Sequence, residues 1–201
     1  MVGENIVLLP RHGDDPGRHI LPHAINHQAN MKALRDRGVK EIISLNSVGS
    51  LKEGLPPGAI VVPDDFILLS PYASVYVDRP EHITPGLDEI LRQRCLAVAA
   101  GAGVEVIAGG VYWQTTGPRL ETRAEIKLMS QFADIVGMTM ASEAIIAQEL
   151  GLRYASLCSV DNYGHGIGKK ELRAAEIMAQ GRRSRETLVR LLANYLAGET
   201  F

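Results

Sequence analysis

The sequence predicts an α/β fold: one domain with a central mixed or largely parallel sheet flanked by helices. Three observations predict it. Short apolar runs alternate with stretches of helical periodicity from one end of the chain to the other. With 201 residues, 46% of them hydrophobic and 22% charged, the chain has material for one sizeable core. No repeat, low-complexity tract or linker divides it.

The elements follow in order. Asn5-Ile6-Val7-Leu8-Leu9-Pro10 is a continuous apolar run, read as a buried strand. It leads into Arg11-His12-Gly13 and a polar loop. Asn26 to Arg37 reads as a helix, with Gly38 as its C-terminal stop. Glu41 to Asn46 is a strand that ends in the small-residue turn Ser47-Val48-Gly49-Ser50, where backbone N–H groups suit an anion. Pro56-Pro57-Gly58 turns the chain into the strand Ala59–Pro63. Ile67 to Pro85 has no clear period and reads as a long loop, which in a small domain usually signals function. Leu87 to Ala102 repeats its apolar residues at three and four, as a helix does. Val104 to Trp113 is a strand interrupted by Gly109-Gly110, a sign of a bulge or a close backbone approach. Thr122–Phe132 is a helix, Asp134–Met138 a strand, and Ser142–Leu150 a helix with Ser142 as N-cap. Arg153–Val160 is a strand. Lys170–Ala197 is a terminal helix with a break expected near Gly181.

Composition excludes several function classes. A net charge of −2 supplies no basic face for nucleic acid. No apolar run approaches the roughly 18 residues of a membrane span. Met1-Val2-Gly3-Glu4-Asn5 lacks the basic-then-apolar pattern of a signal peptide. The two cysteines, Cys95 and Cys158, stand in apolar surroundings, so a reduced, cytoplasmic setting is expected. His19, His23 and His27 are spaced for one helical face, but Pro22 interrupts it, and no metal site is expected.

The chemistry gathers at strand ends, where open α/β sheets keep their sites. Gly117-Pro118-Arg119-Leu120-Glu121 follows one strand, Met138-Thr139 with Glu143 another, and Asp161-Asn162 a third. Glu121 can accept N–H bonds from a ring, and the Asn162 amide offers donor and acceptor together. Thr139 suits an anionic oxygen, Glu143 suits hydroxyls, and Arg11-His12 suits an anion. Each also has a plainer reading as a solvated turn charge, a helix-capping group or an Asx turn. Their placement at successive strand ends favours one pocket for a polar ring, a sugar and an anion.

The ordered set Leu9-Pro10-Arg11-His12-Gly13, Asn26–Asn30, Asn46–Leu51, Pro57-Gly58, Gly117–Glu121, Gly137–Glu143, Glu149–Gly151 and Asp161–Tyr163 resembles the trimeric or hexameric family of purine nucleoside and methylthioadenosine phosphorylases. The resemblance runs from about Ile6 to the terminal helix. It implies a mixed sheet rolled into a distorted barrel and phosphorolysis of a purine–ribose bond. It implies that Arg11, His12, the Ser47 backbone and Thr139 hold phosphate. Met138 and Glu143 lie on the ribose side, and Leu120, Glu121 and Asn162 meet the purine. Glu121 and Asn162 are the groups expected to act in catalysis. Phosphate is a co-substrate, and no metal or organic cofactor is implied. The partners implied are the nucleoside, phosphate and further copies of the chain in a homotrimer or homohexamer, with the Phe66–His82 loop serving a neighbour.

Relatives that take 6-aminopurines tend to carry Ser at the position of Glu121 and Asp residues in the later loop. Here Glu121, Asn162 and Gly164 stand there instead, which implies a 6-oxopurine. The best register places Ala174 where ordinary nucleoside phosphorylases carry a His for the 5′-hydroxyl, leaving room for a methylthio group. The local motifs resemble most those of S-methyl-5′-thioinosine phosphorylases. The expected reaction converts S-methyl-5′-thioinosine and phosphate to hypoxanthine and 5-methylthioribose-1-phosphate. The alternatives are methylthioadenosine, inosine or guanosine as substrate, or a catalytically impaired nucleoside-binding protein or subunit. Family members begin with a strand and a Gly-rich phosphate loop that this sequence does not show. A weakened phosphate site and an exposed sheet edge are therefore expected.

Overall fold

A computed structural model describes residues 6–198 except 16, 73, 79 and 169–172. Asn5 and the expected first turn of the terminal helix at 170–172 lie outside the described residues. Seven strands form one sheet: β1 (Glu41–Ser50), β2 (Ile60–Val62), β3 (Asp65–Leu68), β4 (Ile107–Ala108), β5 (Val111–Gln114), β6 (Ile135–Gly137) and β7 (Arg153–Tyr163). Their order is β3-β5-β6-β1-β7-β2-β4. β1 and β7 run parallel, as do β5 with β3 and β6, and β2 with β4; the joins β1–β6 and β2–β7 are antiparallel. The sheet is mixed, as expected.

Two short corners roll it into a half-barrel. β2 opposes β4 with Val61 facing Ile107, and β3 opposes β5 with Asp65 facing Val111, so the register is the same on both sides of the corner. The two pairs are one parallel ribbon bent at Pro63-Asp64 and Gly109-Gly110. The ladder continues through the bend: Gly109 N donates to Val62 O and Asp64 N to Gly110 O. Both glycines have positive φ, 111° and 118°, and the Asp64 carboxylate accepts from Gly110 N at 2.9 Å. The single strand expected over Val104–Trp113 is thus split by its Gly-Gly pair. β3 lies at the start of what reads as a loop, because its four residues have too short a pattern to stand out.

Five α-helices cover the sheet: α1 (His27–Asp36), α2 (Glu89–Gly101), α3 (Arg123–Met129), α4 (Met140–Glu149) and α5 (Ala174–Ala197). Local chemistry starts them. Asn26 accepts from Ala29 N, Asp88 accepts from Leu91 N, and Thr122 with Glu125 makes a capping box. α1 and α4 enclose one apolar cluster containing Met31, Leu34, Tyr112, Ile146 and Tyr154. α2 and α5 cover the other side through Cys95, Ala99, Leu188 and Leu191. Cys95 and Cys158 are free and buried. Among the described residues no helix is long and apolar enough to cross a membrane.

Three local expectations are corrected. Residues 6–10 form no strand; Leu8 is 79% exposed, and no described strand offers the run a ladder. α4 begins at Met140, so Ser142 is not its cap; Thr139 holds that position, and its side chain makes no capping bond. α5 runs unbroken through Gly181, which faces the Asp161 carboxylate: a Cβ there would lie 3.1 Å from Asp161 Oδ2.

Candidate active site

α4 is the keystone of the site. It is buried on nearly every face, and its first turn sits where β6 ends and β1 passes. Its N-terminus is capped from β5. The Tyr112 hydroxyl accepts from Thr139 N and Met140 N, while the Gln114 amide accepts from Ser142 N and donates to Ser142 Oγ at 2.6 Å. Tyr112 reaches this point because residue 137 is glycine; a Cβ there would fall 2.2 Å from the Tyr112 hydroxyl. With the cap supplied by β5, the Thr139 side chain is released for other work.

Thr139 Oγ1 donates to Asn46 Oδ1 at 2.9 Å, and Arg11 Nη1 donates to the same oxygen at 2.8 Å. Arg11 Nη1 also donates to Leu45 O. Arg11 Nε lies 2.8 Å from Glu143 Oε1, an ion pair whose angle falls short of a hydrogen bond. Glu143 is 1% exposed; Tyr154 donates to its Oε2 at 2.7 Å and His27 Nδ1 stands 3.7 Å from Oε1. Burial alone would raise the Glu143 carboxyl pKa. Arg11, with His27 and Tyr154, outweighs burial and holds the pKa below the ordinary carboxylate range. Burial likewise works against the Arg11 charge, and Glu143 reverses the balance and raises its pKa. The Glu143 carboxylate thus faces Arg11, Tyr154 and His27, not an open sugar pocket.

His12 is fixed by two bonds to one residue: its backbone O accepts from Ile20 N, and its Nδ1 lies 2.8 Å from Ile20 O. Its ring stacks on His19 at 4.6 Å. Burial is the largest cause and lowers its pKa, with His19 and Arg11 adding to it, despite the Ile20 carbonyl partner. Nδ1 therefore carries the proton in the neutral ring, leaving Nε2 as an acceptor. The Leu45 carbonyl takes Arg11, so strand alternation points the backbone groups of residues 43, 45 and 47 to the side of β1 away from β7. The Ser47 N–H opens on the Arg11 side. Beyond Gly49-Ser50, which pair with β6, that edge of β1 carries no strand among the described residues. It lines a cavity of about 640 Å³ together with residues 6–9, Arg11, His12 and the end of α5.

The other half of the site lies across β6. Glu121 is 8% exposed, and its Oε1 accepts from Thr115 Oγ1 at 2.6 Å. Thr115 N in turn donates to Gly137 O. Gly117, with φ 66° before a cis Pro118, approaches Met138 so closely that a Cβ would sit 2.5 Å from its sulfur. Leu120 is exposed beside Glu121. Asn162 owes its direction to a bulge: Val48 pairs with Val160 but Gly49 pairs with Asn162, so Asp161 is the extra residue. Asn162 Nδ2 donates to Tyr163 O at 2.8 Å and, with Val136, flanks Gly49. Asp161 turns the other way and accepts from Ser184 Oγ of α5. Ala174 stands exposed at the first residue of α5.

The structure therefore brings Arg11, Thr139 and Glu143 into one network, and links Glu121 to Met138 through Gly137 and the Gly117 turn. Ala174 makes no hydrogen bond to either group among the described residues. Asn46, Tyr112, Gln114, Thr115 and Tyr154 are not singled out by sequence reasoning. Their only signal is a polar atom inside an apolar strand pattern.

Comparison with known proteins places this geometry. A family model described as the phosphorylase superfamily matches residues 1–197. A "Probable 6-oxopurine nucleoside phosphorylase" of Archaeoglobus fulgidus is 42% identical over 191 residues, covering 94% of this chain and 78% of the relative. A "Probable S-methyl-5'-thioinosine phosphorylase" of Methanosarcina acetivorans is 38% identical over 200 residues, covering 96% and 74%. The crystal structure of methylthioadenosine phosphorylase from Schistosoma mansoni in complex with adenine superposes with TM-score 0.83 at 28% identity, covering 94% of this chain and 74% of that one.

Proposed function

The chain belongs to the phosphorylase superfamily, and from that premise we propose that it cleaves 6-oxopurine nucleosides with phosphate, S-methyl-5′-thioinosine foremost. It is a pentosyltransferase-type enzyme. The C1′–N9 bond breaks with its electron pair passing to the purine, and a C1′–O bond forms to phosphate. The products are hypoxanthine and 5-methylthioribose-1-phosphate. The transition state carries positive charge on the sugar and negative charge on the base, so groups that meet those charges lower the barrier.

The observation that carries the base assignment is Glu121. Its carboxylate is buried and has one oxygen held by Thr115, which leaves Oε2 to accept the N1–H of a 6-oxopurine. A 6-aminopurine presents a lone pair at N1 and is repelled there. Asn162 spends one N–H on Tyr163 O and keeps the other for N7 of the departing base. Leu120 adds an apolar edge to the base and Met138 lies against the ribose. Phosphate is held by Arg11, the Ser47 N–H, Thr139 and His12, whose Nε2 accepts the proton of a phosphate hydroxyl. Glu143 holds Arg11, and the first turn of α4 that carries it closes the ribose side. The small Ala174 admits a methylthio group at the 5′ end. The relatives' names support both the base and the 5′ substituent. Phosphate is the co-substrate, and no metal or organic cofactor takes part. The free, buried cysteines suit a cytoplasmic setting. Exposed Leu69 and Val77 in the loop after β3 suit burial against further copies, in a trimer or hexamer that sedimentation would size.

The test is hypoxanthine release from methylthioinosine and inosine, guanine release from guanosine, and adenine release from methylthioadenosine, with and without phosphate. Release from the 6-oxopurines should require phosphate. Turnover of methylthioadenosine with methylthioinosine untouched would overturn the base assignment, and release that ignores phosphate would overturn phosphorolysis.

A further inference from the structure

We infer that Thr115 is a specificity-determining residue: by engaging one oxygen of Glu121 it leaves the base a single acceptor, and so selects hypoxanthine nucleosides over guanine nucleosides. The inference rests on the reading of Glu121 as the acceptor of the base N1–H. It goes further by separating two bases that both carry that N1–H. Thr115 is placed by its backbone. It follows β5 directly, and its N–H donates to Gly137 O at 2.9 Å, which carries the β5–β6 ladder one residue beyond the end of β5. Its side chain is β-branched and has few rotamers to choose from. The hydroxyl proton has two acceptors in range, Glu121 Oε1 at 2.6 Å and Gly137 O at 3.5 Å. The carboxylate is nearer and charged, and it takes the proton.

That bond joins the two ends of the Gly117-Pro118 turn, since Glu121 is the last residue before the Thr122 cap of α3. It also settles the final torsion of Glu121, which is otherwise broad and two-fold. Oε1 faces Thr115, and Oε2 takes no hydrogen bond from the described residues and is not closed off from solvent. Arg119, in the same turn, directs both Nη atoms to Glu125 instead. The two bases differ at position 2. Hypoxanthine offers Glu121 the N1–H and beside it a C2–H, which needs no acceptor. Guanine offers the N1–H and an exocyclic NH₂ beside it, a pair of donors matched to the two oxygens of a free carboxylate. Here Oε2 takes the N1–H while Oε1 already holds Thr115. The guanine NH₂ must share that crowded oxygen or stay unpaired in a largely buried place. A buried donor left unpaired weakens binding roughly 5- to 150-fold.

The test is binding of inosine and of guanosine to the full chain by titration calorimetry without phosphate, so that it does not depend on turnover. Wild type should bind inosine more tightly by roughly 5- to 150-fold. Thr115→Val keeps the shape and removes the donor. It frees Oε1 for the guanine NH₂, and the ratio of guanosine to inosine affinity should rise about fivefold or more. Thr115→Ser keeps the hydroxyl and should keep the wild-type ratio. Thr115→Ala also removes the donor and serves if Thr115→Val does not fold. Guanosine bound as tightly as inosine by wild type overturns the inference. So does a ratio that stays put in the variants without the hydroxyl, or one that moves as far in Thr115→Ser. A wild type that binds neither nucleoside overturns the inference together with the reading of Glu121. Phosphate-dependent release of hypoxanthine with an unmoved ratio defeats the Thr115 inference alone. The expected ratios without any phosphate-dependent release defeat the proposed reaction and leave the Thr115 inference standing.

Discussion

Replacing Glu121 by glutamine tests the base assignment with little change of shape. The carboxylate is 8% exposed, and one of its two oxygens is held by Thr115 Oγ1 at 2.6 Å. The amide of the E121Q variant can keep that bond through its carbonyl, and it then directs an NH₂ toward the base. The N1–H of a 6-oxopurine loses a charged acceptor and meets a donor. A hydrogen bond to a charged group contributes about 1.5–3 kcal/mol, so kcat/KM for methylthioinosine and inosine should fall roughly 10- to 150-fold. The same NH₂ can donate to the lone pair at N1 of a 6-aminopurine, so methylthioadenosine and adenosine should gain relative to them. The assay is kcat/KM for the four nucleosides at saturating phosphate, wild type beside E121Q. A ratio of 6-oxo to 6-amino turnover that does not move in the variant would refute the reasoning, because Glu121 would then not read the base.

Three further outcomes follow from the same geometry. Glu143→Gln should cost about 3–5 kcal/mol at pH 7, read by urea denaturation, because it leaves the Arg11 charge buried without its partner. The Glu143 carboxyl pKa is lowered by folding, so this stabilisation is full above about pH 4.3, the unfolded value, and is lost as pH falls further; the gap between wild type and E143Q should narrow in acid. Gly137→Ala should destabilise by about 1–3 kcal/mol, and adding Tyr112→Phe should recover part of it, since the new methyl meets the Tyr112 hydroxyl first. Arg119→Ala should leave base preference unchanged in the same kinetic assay, because Arg119 is solvated and bound to Glu125.

Helices whose boundaries are made locally are legible in the sequence. Asn26, Asp88 and Thr122 announce their helices through side chains that bond the first turn, and Gly38 ends one with φ 81°. The start of α4 reads two residues late because its cap comes from Tyr112 and Gln114, distant in sequence, and no local pattern reveals a cap supplied by another strand. The Gly109-Gly110 pair is visible as a break, but not as the corner of a bent ribbon, since the matching corner at Pro63-Asp64 lies far away. Among the site residues, those at strand ends stand out as charged or polar groups in turns. Asn46 does not, because it lies within a strand and its meaning depends on Ser156, more than a hundred residues on. The opposite holds for residues 6–10. Their apolar run has every local mark of a strand, yet a strand exists only where another backbone answers it.

From residue 41 to 48 β1 pairs with β7 alone among the described residues, which makes its backbone chemically two-faced. Even-numbered residues from 42 to 48 face β7, as Arg153 N to Lys40 O and the serine bonds to Ser44 O and Asn46 O confirm for the adjoining carbonyls. Odd-numbered residues face the other side, where Leu45 O already serves Arg11. In deuterium exchange the same strand should therefore carry two interleaved clocks: slow at 44, 46 and 48, fast at 43, 45 and 47. Occupancy of the anion site would slow one of the fast ones, Ser47, and leave its neighbours running.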